Sequence, residues 1–174
     1  MAGHSKWAKL KHVKGKTDAQ KSKLFSKLVR FISVEAKKSK GDRSAPGLRA
    51  AIDKARAANM PADNIDRAID KASQSGELEQ VVYEAYGPGG VAMVVEGYTD
   101  SRNRTAQEIK HILSQHGVQL TTPGAASWAF QKGENGLEPM TTVEISDEDG
   151  TKLSLLVDAL EDHDDVSEVY TNAA

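Results

Sequence analysis

Residues 81–98 read VVYEAYGPGGVAMVVEGY, and this stretch decides the fold. Two runs rich in valine and tyrosine flank the sequence Gly87-Pro88-Gly89-Gly90. Residues that branch at Cβ and aromatic residues favour strands, and a short glycine-rich segment between two strands favours a tight connection. We therefore predict a β-hairpin with strands at 81–86 and 91–98.

Two helices and three further strands are predicted downstream of the hairpin. The helices are indicated by apolar residues at three-to-four spacing: Ala106, Ile109, Leu113 and His116 in the first, Leu153, Leu156, Val157 and Leu160 in the second. Gly117 ends the first helix, and Ser146 with Asp149 caps the second. Strands are predicted at 125–131, 141–145 and 166–170. The order ββαββαβ predicts a ferredoxin-like α+β fold, with helices on one face of a mainly antiparallel sheet.

Three amphipathic helices are predicted upstream. Thr17 with Gln20 forms a capping-box pattern that opens a long helix, and Gly41 closes it. Pro61 suits the first position of the third helix. The apolar stripes of the three helices are Leu24, Phe25, Leu28, Val29, Ile32 and Ala36; Leu48, Ala51, Ile52 and Ala55; and Ile65, Ala68, Ile69 and Ala72. With 73–79 as a linker, we predict a helical domain at 1–75 and an α+β domain at 76–174.

Charge is distributed unevenly along the 174 residues, although the net charge is only -2. Residues 1–43 contain 13 Lys and Arg but three acids, a net charge of +10. Residues 76–174 contain five basic and 18 acidic residues, a net charge of -13. A chain polarised in this way directs one end towards a polyanion. A solvated lysine-rich tail is the alternative interpretation of the basic end.

The basic segment supplies the predicted nucleic-acid-binding residues. On the long helix, cations cluster opposite the apolar stripe, with Val34 among them, whereas Lys21 lies on the apolar side. Each lysine that contacts a phosphate adds affinity without recognising sequence. Trp7 could stack on an unpaired base or pack on the helices, and His12 could donate to a phosphate or lie on the surface. The predicted binding residues are Lys6, Trp7, Lys9, Lys11, His12, Lys14, Lys16, Lys23, Lys27 and Arg30.

Arg102 and Arg104 form a candidate anion site in the acidic half, because they begin a helix whose first N–H groups favour anions. The alternative is that they pair with acids such as Asp100 or Glu108. Both interpretations follow equally from the sequence.

No catalytic residue, metal site or cofactor site is predicted. The chain has no cysteine, His111 and His116 lie on different helix faces, and no nucleophile with a partnered base is apparent. No apolar run approaches the ~20 residues of a membrane span, and the first 16 residues have no apolar signal-peptide core. We expect a cytoplasmic protein that is not an enzyme and has no small-molecule substrate.

Several motifs in order resemble the YebC/PmpR family over nearly the whole chain. They are Gly3-His4-Ser5-Lys6-Trp7, Lys11-His12-x-Lys14, Ala58-Asn59-Met60-Pro61-x-Asp63-Asn64-Ile65-x-Arg67-Ala68-Ile69, Tyr86-Gly87-Pro88-Gly89-Gly90, Asn103-Arg104-Thr105, Ser127-Trp128, Asp158-Ala159-Leu160-Glu161-Asp162 and Val169-Tyr170-Thr171-Asn172. The resemblance implies a DNA-binding transcriptional regulator, with relatives that include the mitochondrial translational activator of cytochrome c oxidase. It also implies an alternative, a ribosome-bound translation factor that relieves stalling on proline-rich nascent chains. Both functions require a cationic surface, so the charge pattern leaves DNA and ribosomal RNA open.

The chain departs from the family pattern in three places. Family members insert a third domain after the tryptophan-containing strand, where this chain has only a polar loop at 132–140. We expect the two remaining domains to fold, because such a loop would join adjacent strands of one layer. Phe31 stands where the family usually has an acid, and Lys21 where it usually has arginine.

Overall fold

The computed structural model describes residues 18–74, 76–134 and 136–174. Its regular elements are α1 (Asp18–Lys38), α2 (Pro46–Ala57), α3 (Ala62–Lys71), β1 (Glu79–Tyr86), β2 (Ala92–Thr99), α4 (Arg102–Gln115), β3 (Phe130–Gly133), β4 (Gly136–Pro139), α5 (Asp147–Glu161) and β5 (Val166–Thr171). Short 3-10 turns lie at Ala72–Gln74, Pro88–Gly90 and Ser127–Ala129. The predicted class, three helices followed by elements in the order ββαββαβ, is confirmed.

The described residues form two compact units. Among these residues, a helical unit contains 18–79 together with Tyr98–Asp100, and an α+β unit contains Gln80–Gly97 and Ser101–Ala174. Each unit has its own core of buried apolar side chains. None of the helices in the described ranges is both long enough and apolar enough to cross a membrane.

In the helical unit, the apolar stripes of α2 and α3 are buried as predicted. On α1, Leu28, Ile32 and Ala36 are buried, but Val29 is 36% exposed, so its assignment to the core was wrong. Val34, on the opposite side among the lysines, is only 8% exposed. The predicted stripe was too simple because α1 packs on more than one side.

The ends of the helices agree with the predicted signals to within a residue or two. Gly41 adopts a φ of +82° after α1, and its N–H donates to the Ala36 carbonyl at 2.8 Å. Such a left-handed residue closes a helix most easily when it is glycine. Pro61 precedes α3 as its N-cap and is not the first helical residue. Thr17 of the predicted capping box lies outside the described residues.

In the α+β unit, β2 lies between β1 and β5 and pairs antiparallel with β5. Side chains of α4 and α5 pack with one face of this sheet in the main core. On the other face, Ala92 and Val94 pack against Ala126, Ala129 and Phe130. Burial on both faces explains why β2 is a nearly continuous apolar run.

The third and fourth strands differ from the prediction. Residues 125–131 contain a 3-10 turn, and β3 begins only at Phe130; 141–145 contribute a single parallel bridge between Val143 and Ala173. The predicted loop at 132–140 contains most of an antiparallel hairpin, in which β3 pairs with β4 as a separate two-stranded sheet. The sequences of β3 and β4 are short and polar and lack the alternation typical of strands. Their positions are therefore determined by the pairing of the two backbones.

Gly97 occupies an irregular point of the β2–β5 pairing, where the register shifts between Glu96 and Gly97. A Cβ atom at this position would lie 2.2 Å from the carbonyl oxygen of Asp165. Real side chains do not approach so closely, so only glycine allows these two backbones to meet. The close approach ties β2 to the residue that precedes β5.

Candidate nucleic-acid interface

The predicted binding residues divide into two groups. Lys6, Trp7, Lys9, Lys11, His12, Lys14 and Lys16 lie outside the described residues. Lys23, Lys27 and Arg30 lie on α1, where all three are partly buried. The structure therefore describes only the helical part of the predicted interface.

The cationic face of α1 also serves as a packing surface. The Nη1 of Arg30 donates to the Tyr98 carbonyl oxygen at 3.3 Å. Next to it, the ring of Phe31 stacks on Tyr98, with 6.0 Å between the ring centroids, and the Nζ of Lys54 lies 5.9 Å from the Phe31 centroid. Phe31 thus contributes aromatic packing to the helical unit. The hydrogen bond to the Tyr98 carbonyl holds the Arg30 side chain within the helical unit.

Farther along α1, Val34 lines a cleft of about 270 Å³ together with Lys37, Lys38 and residues 76–79. Lys38 pairs with Glu35 of the same helix at 3.2 Å. The residues that follow the third helix therefore come close to this side of α1, which accounts for a buried valine among cations. Lys37 and Lys38 themselves remain exposed.

A second group of cations, which sequence reasoning missed, lines a cleft of about 430 Å³ on the helical unit. Arg49 and Arg56 come from α2, and Arg43 comes from the connection between α1 and α2. The remaining lining residues are Ser44, Ile52 and Asp53. The net charge of residues 44–75 concealed this cluster, because averaging along the chain does not detect arginines that share a face. Arg49 and Arg56 are seven residues apart and lie off the apolar stripe of α2. This spacing places them on one exposed face of the helix, and it was the signal in the sequence that could have revealed the cluster.

The cations of this cleft take part in only weak or exposed ion pairs. Arg43 pairs with Asp66 at 2.7 Å, and both side chains are about half exposed. The Arg56–Asp53 separation is 4.0 Å, the limit for an ion pair. Within the described ranges, Arg49 forms no ion pair. Exposed pairs of this kind contribute about 0–1 kcal/mol, so an anion could replace the acids.

The candidate anion site of the acidic half has a different arrangement. The Nη2 of Arg104 lies 3.0 Å from the Oδ2 of Asp165, and its Nε lies 3.9 Å from Glu108. Thr105 also donates to the same Asp165 oxygen, at 2.7 Å. Arg104 therefore pairs with acids, which is the alternative interpretation that the sequence left open. Arg102 is exposed on the first turn of α4.

The side chains of Glu108, His163 and Asp165 come close enough to suggest a metal site, with one ligand atom of each within 4.8 Å of the others. Their hydrogen bonds argue against this use. The backbone N–H of Asp165 donates to His163 Nδ1 at 3.1 Å, so the ring proton is on Nε2, which lies 2.6 Å from Glu108. A histidine that donates from Nε2 has no lone pair there for a metal. We interpret the cluster as a link between α4 and the turn before β5.

Glu84 of β1 is a buried carboxylate that the sequence analysis did not single out. Its Oε2 accepts the N–H of Gly124 at 2.7 Å, and its Oε1 accepts those of Ala126 at 2.9 Å and Ser127 at 2.5 Å. Burial alone would raise the pKa of Glu84, but these donors outweigh burial and hold the pKa below its ordinary value. The carboxylate thereby fixes the loop that leads to Trp128.

Trp128 presents an exposed aromatic ring in a fixed orientation. The side chain is 56% exposed, although its Nε1 donates to the Tyr86 hydroxyl at 2.8 Å and to the Ala125 carbonyl at 2.9 Å. The Tyr86 hydroxyl in turn donates to the same carbonyl. Glu84 and Trp128 are thus parts of one arrangement around residues 124–128.

Sequence comparisons relate the chain to known proteins. The profile of the "TACO1/YebC protein N-terminal domain" matches residues 5–75, and that of the "TACO1/YebC second and third domain" matches 78–135 and 131–173. A "Probable transcriptional regulatory protein" of Thermosipho africanus is 38% identical over 237 aligned positions, which cover 99% of this chain and 93% of the relative. A relative of the same description from Persephonella marina is 39% identical over 240 positions, covering 99% and 95%.

A structural comparison agrees with these matches. The crystal structure of a conserved hypothetical protein from Aquifex aeolicus has a TM-score of 0.82 and 34% identity, covering 98% of this chain and 97% of that chain. The alignments with the curated relatives are longer than the 174 residues of this chain, so those relatives contain residues without a counterpart here. The two matched segments of the second profile meet in the β3–β4 hairpin, where the third domain was predicted to be missing. The chain belongs to the TACO1/YebC family.

Proposed function

We propose that the chain is a non-enzymatic regulator of gene expression that binds nucleic acid mainly through phosphate contacts of its basic N-terminal region. The observation that carries this proposal is the separation of charge, +10 in residues 1–43 against -13 in residues 76–174. Such an arrangement attracts a polyanion to one region and repels it from the other. The relatives' shared description, probable transcriptional regulatory protein, supports regulation of expression as the function class.

DNA is the first candidate for the nucleic acid, because the relatives are described as transcriptional regulators. Sequence-specific recognition of duplex DNA uses arginine, asparagine or glutamine side chains directed at base edges. On α1 only Gln20 and Arg30 are of these types, and Arg30 already donates to the Tyr98 carbonyl. We therefore expect discrimination between duplex sequences below the ~10³-fold typical of specific regulators.

Ribosomal RNA is the second candidate, because the hydrogen bond of Arg30 to Tyr98 occupies one of the two α1 side chains suited to reading duplex DNA. A protein that contacts phosphates without reading base edges binds RNA as readily as DNA. Crosslinking in cells, followed by sequencing of the bound nucleic acid, distinguishes the two. Enrichment at a few promoters without ribosomal RNA supports the transcriptional function, whereas ribosomal RNA crosslinks with salt-sensitive co-sedimentation support the translational one.

Charge reversal on α1 tests the proposed mode of binding. Lys23→Glu combined with Lys27→Glu should weaken binding to DNA and RNA severely, because it replaces attraction to phosphates with repulsion. For the unmodified chain, the log-log slope of affinity against salt should be about -0.7 to -0.9 per phosphate contact. Fluorescence anisotropy over a salt series measures both quantities.

The matched control reverses two exposed lysines of the α+β unit, Lys110 and Lys152, in the same way. Because Lys23 and Lys27 are partly buried, the milder pair Lys23→Gln and Lys27→Gln should also be tested, with a thermal melt of each variant. A folded variant of either pair that binds as tightly as the unmodified chain in low salt would remove α1 from the interface.

A further inference from the structure

We infer that the cleft lined by Arg43, Arg49 and Arg56 is a second binding site of the helical unit, which holds consecutive phosphates of one nucleic-acid strand. The inference rests on the proposed function and goes beyond it, because the predicted nucleic-acid-binding residues lie only in the N-terminal segment and on α1, and the candidate anion site at Arg102 and Arg104 lies in the α+β unit. The site requires a polyanion with regularly spaced charges. A sugar-phosphate backbone provides this chemistry.

The geometry of α2 sets the length of the ligand. Arg49 and Arg56 are separated by seven residues, which is close to two helical turns and about 10 Å along the axis. Because this distance is larger than a single phosphate group, the two guanidinium groups can engage different phosphates of the same strand. Arg43 and Ser44 extend the lining from the connection before α2. A single inorganic phosphate would therefore engage only one end of the cleft.

The type of cation also fits phosphate. A guanidinium group is always charged and presents a planar fork of N–H donors that matches two phosphate oxygens. Three such groups line one cleft of about 430 Å³, which is large enough for a stretch of backbone. Arg104 shows the contrasting case, because its partner Asp165 is almost fully buried and holds it within the fold.

The carboxylate of Asp53 repels a phosphate ligand, so its removal tests the proposal by a gain in affinity. It lies between Arg49 and Arg56 in the helix, lines the cleft, and is mostly exposed. A carboxylate in this position repels phosphates and competes for Arg56. Removing its charge should therefore strengthen binding, an effect that a merely structural role of the arginines does not predict.

The experiment measures binding of the full chain to a short single-stranded oligouridylate over a salt series. Arg49→Gln with Arg56→Gln should weaken binding about tenfold or more and lower the salt slope by about 0.7 for each lost contact. Asp53→Asn should tighten binding. The control is Arg67→Gln on α3, which removes an arginine held within its own helix by Asn64 at 2.8 Å and should have little effect. Inorganic phosphate should compete only weakly with the oligouridylate.

The outcomes separate this inference from the proposed function. If the unmodified chain does not bind in low salt, both fail. If it binds, and the Lys23 and Lys27 variants weaken binding while the Arg49 and Arg56 variant does not, only the cleft is excluded. Unchanged binding by Asp53→Asn, or effective competition by inorganic phosphate, would likewise overturn the assignment of the cleft to a phosphodiester strand.

Discussion

The two units of the molecule use their charged residues in opposite ways. In the α+β unit, Glu84 and Asp165 are buried and bound to donors more than 35 residues away in sequence, so their charges contribute to the fold. In the helical unit, the arginines of the cleft are exposed, and the ion pairs of Arg43 and Arg56 are weak. A buried charge is stabilising only while its partners stay in place, whereas an exposed charge remains available to a ligand. Substitutions in the first unit should therefore affect stability, and those in the second should affect binding.

The largest expected effect on stability is that of Gly97→Ala. The added Cβ would overlap the Asp165 carbonyl oxygen, and neither backbone can move without disturbing the β2–β5 pairing. We expect a loss of about 3 kcal/mol in the free energy of unfolding, measured by chemical denaturation. Gly76→Ala is the control, because a Cβ at Gly76 meets no atom within 4 Å. Equal stability of the two variants would show that the close approach at Gly97 is unimportant.

A smaller but still substantial loss is expected for Glu84→Gln, which keeps the shape of the side chain but not its charge. One of its two terminal groups becomes an NH₂ that faces backbone N–H donors, so about 2 kcal/mol should be lost at neutral pH. Nucleic-acid binding in low salt should stay unchanged. Glu148→Gln, on an exposed pair with Lys152, is the matched control and should change stability by less than about 1 kcal/mol. Weakened binding by a folded Glu84→Gln chain would contradict the division of roles between the units.

The stability difference between the unmodified chain and Glu84→Gln should depend on pH. Because the folded state lowers the pKa of Glu84 below its ordinary value of 4.5, the stabilisation is fully present above that value. It is lost as the pH falls through the lowered pKa, since the unfolded chain then takes up the proton first. The stability difference between the unmodified chain and Glu84→Gln should therefore shrink below pH 4.5. Denaturation curves at several pH values measure this difference. A difference that grows on acidification would contradict a lowered pKa of Glu84 in the folded state.

The smallest expected effect on stability is that of Asp66→Asn in the helical unit. It breaks the half-exposed pair with Arg43, which should cost less than about 1 kcal/mol. Because it releases Arg43 into the cleft, binding of oligouridylate should become tighter. A large loss of stability without tighter binding would indicate that this ion pair belongs to the fold, as Arg104–Asp165 does.

Much of the fold could be predicted because its signals are local. The apolar stripes of α2, α3 and α5, the Ser146 cap and the hairpin at 81–98 depend on residues a few positions apart, and the structure confirms them. The strands of the β3–β4 hairpin were misplaced, because four-residue strands carry too few side chains to show an alternating pattern. Val29 and Val34 exchanged their predicted roles, since a single stripe cannot represent a helix that packs on several sides.

The candidate sites divide in the same way. The sequence by itself determined the polarity of charge, the family motifs and the placement of Lys23 and Lys27 on one face of α1, because helical periodicity follows directly from residue spacing. Tertiary structure alone decided that Glu84 is buried beneath the 124–127 loop, that Arg104 pairs with Asp165, and that Arg43 joins two arginines of α2. These contacts join residues that lie far apart in sequence or on different elements, and only the packing of the folded chain brings them together.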